Sequence, residues 1–76
     1  MTEQTFGQKA VGLSFNPSGT TEVERIKSLF AEVIDGLDSL RGAVGTTPEQ
    51  KRLASIAITE AQGAQMWAVK AVTWKD

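Results

Sequence analysis

The stretch Ile58-Thr-Glu-Ala-Gln-Gly-Ala-Gln-Met-Trp-Ala-Val-Lys-Ala-Val-Thr-Trp74, read with the residues before it from Lys51, decides the fold of this chain. Ala54, Ala57, Ala61, Ala64, Ala68 and Ala71 recur at steps of three and four, the a/d rhythm of a heptad filled with a small helix-forming side chain. Small residues admit another backbone or a bulky side chain at close range. A second stripe, Ile58, Gln62, Gln65, Val69 and Val72, keeps the same rhythm. A third, Leu53, Ile56, Glu60, Gly63, Trp67, Lys70 and Trp74, is also partly apolar. A helix apolar nearly all the way round is buried all the way round, and a short chain does not achieve that alone. The segment predicts self-association.

Working outward, Thr47 caps this helix, with Pro48 at its first position and Gln50 at its third, and the helix is expected to run from about Pro48 to about Thr73. Gly42, Gly45 and the Thr46-Thr47-Pro48 run make the turn before it. A preceding helix is expected over about 22–41, capped by Thr20 or Thr21, with Thr21 and Glu24 spaced as a capping box. Its apolar seam reads Val23, Ile26, Phe30, Val33, Leu37 and Leu40, widened by Leu29 and Ile34. Large side chains on one helix and alanines on the other suit close antiparallel packing. Residues 1–19 read as an irregular arm, since Gly7, Gly12, Asn16, Pro17 and Gly19 oppose a helix. Phe6, Val11, Leu13 and Phe15 make it an arm that packs on something rather than a free tail. The expected architecture is all-α: an antiparallel two-helix hairpin over 20–76 with an irregular N-terminal arm, assembled into a compact homo-oligomer.

Composition supports association. A single core in 76 residues gives marginal stability without disulfides, metal or partner subunits. The chain has no cysteine and no histidine. That removes disulfides, thiolate zinc, the commonest metal ligand and the commonest acid–base group. No Ser–His or Cys–His pair can form, and the glycines make no phosphate-binding signature. A net charge of −1 with mixed signs argues against a DNA or RNA polymer as partner. No apolar run has the roughly 20 residues a membrane span needs. No signal-peptide pattern opens the chain, and a soluble cytoplasmic protein is the expectation. Glu32 and Asp35 lie one turn apart, which suits a solvated polar face better than a divalent cation.

The chain does carry the vocabulary for a phosphate-bearing ligand with flat rings. Phe15, beside Asn16 on a Pro-stiffened turn, is either a stacking platform or a plug between helices. Arg25 and Lys27 lie in the first turns of the helix that follows, where a helix N-terminus also favours anions, and Arg52 opens the next helix in the same way. Trp67 and Trp74, seven residues apart, suit an interface better than a ligand cage. Glu60 either meets a Lys70 from another subunit or sits in water.

The segment 58–74, with Thr59, Gln62, Met66 and Lys70-Ala71-Val72 as its most specific positions, an Ile26-Lys27 pair in the first helix and an aromatic just before that helix, resembles the Acb/Tad hairpin-domain family of phage anti-defence proteins. The resemblance implies a sponge: a helical homo-oligomer, typically a hexamer, that sequesters cyclic oligonucleotide messengers of bacterial immune systems such as CBASS and Thoeris without cleaving them. Cyclic dinucleotides are the implied ligands, with cyclic trinucleotides or cyclic ADP-ribose-type signals beside them. No catalytic residue, metal or other cofactor is implied. Residue by residue, the resemblance gives Phe15 the base-stacking role, Lys27 the phosphate contact, and Ser28 and Arg52 a place at a trinucleotide site. A small helical adaptor docking a protein partner is the alternative, and an enzyme acting on nucleotides is the weakest reading, since no base or nucleophile is poised.

Overall fold

The computed structural model describes residues 3–14 and 20–75. Among these the elements are α1 (Phe6–Ala10), α2 (Thr21–Gly42) and α3 (Pro48–Thr73), with no strand. α2 and α3 form the antiparallel hairpin, and α1 packs against α2.

α3 begins where its cap chemistry predicts and ends at the expected Thr73. The Thr47 hydroxyl accepts from Gln50 N at 3.1 Å, while the Gln50 side chain accepts from Thr47 N at 2.8 Å. Thr20, one of the two expected candidates, caps α2, its hydroxyl accepting from Val23 N at 3.3 Å. The Thr21–Glu24 box is not the one used. At the turn, Gly45 has φ +89°, a left-handed conformation that favours glycine.

The arm requires a correction. It was expected to be irregular, yet Phe6–Ala10 is helical. A capping box starts it: the Thr5 hydroxyl accepts from Gln8 N and the Gln8 carbonyl oxygen from Thr5 N. Gly7, which opposed a helix on paper, is what lets this one dock. A Cβ there would meet Ala31 O, so only glycine allows the approach. The Gly7 amide then donates to Asp35 Oδ1 at 2.7 Å. Val11 is buried just beyond the helix, with Leu13 packed beside it, so the arm does pack on something.

The expected seam of α2 holds in part. Val23 and Ile34 are buried, Phe30 and Leu37 pack against the core and Ile26 is half-buried, while Lys27 and Ala31 complete the buried stripe of Val23, Lys27, Ala31 and Ile34. The stripe faces the groove between α1 and α3, and Leu29, Val33 and Leu40 are left exposed on the side away from α1. Ile34, fully buried, sits at the centre with Val11, Ala31 and Ile58. Of the alanine seam, Ala54 is buried and Ala61 packs on this cluster, while Ala64 and Ala71 are exposed.

The chain is more open than a compact domain of its length. Its Cα extents are 47 × 32 × 12 Å, a slab one helix layer thick. The radius of gyration is 13.8 Å, against roughly 11 Å for a compact domain of this length. The chain exposes 5458 Å², against roughly 4,500 Å² for a folded monomer of its mass.

Candidate functional site

Where α1 ends, the chain folds over Lys27. The stretch from Lys9 to Gly12, with Lys27 of α2 and Gln65, Met66 and Val69 of α3, encloses a cleft of about 430 Å³. Gly12 turns the chain with φ +63° and aims its carbonyl inward. Lys27 Nζ donates to that carbonyl at 3.0 Å, and the residue is only 5% exposed. Gln65, 6% exposed, is the other buried polar group there. Lys9 is exposed at the rim. The cleft thus has a fixed ammonium in its floor, a second at its lip, and Val69 and Met66 as apolar walls. An anion carrying a flat or apolar part suits such a lining.

Its geometry depends on the α1 latch at one end and on a bridge to α3 at the other. Gln62 Nε2 donates to Ala10 O at 3.3 Å, tying the end of α1 to α3. Arg41 holds the other end of α1, its guanidinium 5.1 Å from the Phe6 ring centroid, while it bonds Asp38 at 2.9 Å and Ser55 at 3.0 Å.

The residues expected to bind ligand separate in space. Lys27 enters the cleft. Arg25, two positions earlier, points to the other side of α2, since residues two apart are about 200° apart on a helix. Ser28 is exposed on the outer surface of α2. Arg52 lies about 20 Å along α3 from Gln65, at 1.5 Å per residue. There it forms a bidentate pair with Glu49, at 2.9 and 2.7 Å. The Arg52 guanidinium holds the Glu49 carboxyl below its ordinary value, and Glu49 raises Arg52 in return. Beside Arg52, a shallow hollow is lined by Ser55, Ile56, Thr59 and Glu60. Within one chain, then, Lys27 and Arg52 belong to different places. Phe15 and Asn16 lie outside the described residues.

Lys9, Gln65, Met66 and Val69 were not expected at the site. Lys9 had a local signal: Thr5 and Gln8 have capping-box spacing, which places a helix under Lys9. Gln65 and Val69 were visible only as one stripe of α3, with nothing to say what would lie over them.

Among the described residues no helix is long and apolar enough to cross a membrane. Comparison with curated proteins and with solved structures gives no match. The family model of the Acb2/Tad1 hairpin domain matches residues 8–73, which takes in both long helices and the Lys9–Gly12 lip of the cleft. That is most of the chain, and on it the chain belongs to the Acb2/Tad1 hairpin-domain family, a family of phage anti-defence sponges that bind cyclic oligonucleotides.

Proposed function

We propose that this protein sequesters cyclic oligonucleotide messengers in the cytosol of an infected cell, binding them without turnover. Copies of the chain join, and each cleft under α1 is completed at a junction between copies. A cyclic dinucleotide is the first ligand on this reading, its phosphate drawn to Lys27 and Lys9 and a base set against the Met66–Val69 wall, with Phe15 and Asn16 expected to supply the remaining contact. Arg52, about 20 Å along α3 from Gln65, and Ser28, exposed on the outer surface of α2, belong on this reading to a second site assembled from several copies.

The observation that carries the proposal is the burial of Lys27 beneath Gly12 in a member of a sponge family. A buried ammonium already held in place, with Gly12 O among its partners, is oriented before the ligand arrives, so less ordering remains to be done on binding. A sponge needs affinity and has no use for a catalytic group, and the chain has neither histidine nor cysteine to serve as one.

The test is a titration of the protein with a cyclic purine dinucleotide, followed by heat denaturation and chromatography of what is released. Intact nucleotide in near-stoichiometric amount is the expected result, with a thermal shift worth about 2.7 kcal/mol at 100 times the dissociation constant. Linear product makes the protein an enzyme, and no binding of any cyclic nucleotide leaves the adaptor reading. Lys27→Met should weaken binding tenfold or more.

A further inference from the structure

We propose that α3 pairs with α3 of a second copy, antiparallel, about a two-fold axis level with Gln65. The outward stripe of α3 is Ile56, Glu60, Gly63, Trp67, Lys70 and Trp74. It lies on the side of the helix opposite Ala54, Ile58 and Gln65, which face the core. Neither α1 nor α2 covers it: Trp67 is 71% exposed, Trp74 63% and Ile56 45%.

The order of side chains along the stripe identifies the occupant. Turned end for end at the level of residue 65, the stripe falls on itself. Ile56 then meets the second copy's Trp74, Glu60 meets its Lys70, and Gly63 meets its Trp67. Each match is complementary: an aliphatic chain on a ring, opposite charges together, and the largest side chain over the smallest. Gly63 has the room, since a Cβ built there meets nothing within 4 Å. The parallel alternative sets Glu60 against Glu60 and Trp67 against Trp67, so charge and size both select the antiparallel arrangement. An interface that maps onto itself is the form a two-fold dimer requires.

Lys70 is already placed for this. Its Nζ lies 5.3 Å from the Trp67 ring centroid and 5.5 Å from that of Trp74, so the ammonium sits between the two rings on the stripe. A carboxylate arriving from Glu60 of a second copy meets a cation held in position.

Charge reversal tests the register, read by sedimentation velocity at micromolar concentration with no nucleotide present. Glu60→Lys and Lys70→Glu should each weaken self-association at least tenfold, with far-UV circular dichroism keeping the helical signal. Mixed in equal amounts, the two variants should reassociate, because each carries the charges the other lacks. Gly63→Leu, which the single chain has room for, should dissociate the protein by filling the seat of Trp67. A monomeric wild type overturns the proposal. So do single variants of unchanged mass, a mixture that stays apart, or a Gly63→Leu protein that associates as before. Failure of nucleotide binding leaves this pairing standing, and unchanged mass in the variants leaves the sponge reading standing, with copies joined through another face.

Discussion

The two ends of the hairpin are finished to different degrees. At the turn end the polar groups find partners inside the chain. Thr46 Oγ1 donates to Leu40 O at 2.7 Å, Thr47 and Gln50 cap each other, Arg41 bridges Asp38 and Ser55, and Arg52 grips Glu49. At the open end Met66, Trp67 and Trp74 stand 63–71% exposed, and beside them lies the cleft over Lys27. Local chemistry satisfies the polar groups of the first end, although Leu40, Val44 and Leu53 are exposed there. The second combines exposed apolar side chains with a buried, oriented ammonium, which is what the proposed ligand surface requires.

Ile34→Ala is the strongest way to break this contrast. Ile34 is fully buried and belongs to the cluster joining Val11, Ala31 and Ile58. Emptying that position should cost about 2–5 kcal/mol. Both tryptophans lie in the open half, so their fluorescence reports that end, while hydrogen exchange at residues 40–50 reports the other. The two should melt together in urea. Separate transitions would show the ends to be independently stable. Gly7→Ala comes next, at about 1–3 kcal/mol for the forced contact with Ala31 O. It should release α1 and open the Lys27 cleft, seen as faster amide exchange over residues 6–13, with α2 and α3 retaining their helicity. Thr47→Ala acts at the finished end, and loss of its cap should cost about 1 kcal/mol by urea titration without changing exchange around Lys27.

The smallest effect expected is that of acid on the Glu49–Arg52 pair. The Glu49 carboxyl is held below its ordinary value of 4.5 by Arg52. Its contribution is therefore present above that value and is lost as pH falls through the lowered folded one. Both side chains are exposed, so solvent screens the pair. Melting curves of wild type and Arg52→Ala should differ slightly at neutral pH and coincide in strong acid.

The finished end was also the legible one. Thr47, Pro48 and Gln50 act within one helical turn, so their spacing gives the start of α3 directly. The start of α1 was legible in the Thr5–Gln8 spacing and was passed over, whereas what docks it is remote: Asp35 is 28 positions from Gly7, and Ala31 O lies where a side chain on residue 7 would need to be. The buried stripe of α2 takes in Lys27 and Ala31 beside the expected Val23 and Ile34, and an apolar count along α2 alone has no means of including a lysine. Lys27 itself was singled out for its charge and position, but its burial depends on the Gly12 carbonyl, which the arm supplies. The separation of Arg25 from Lys27 was available from helix geometry alone.

A backbone only 12 Å deep leaves room for a small interior, the cluster of Val11, Ala31, Ile34 and Ile58. The side chains that steady it therefore lie close to the faces on which ligand and partner would act. Substitutions that tune what it captures will therefore tend to alter how long it survives, and evolution of one property drags the other along.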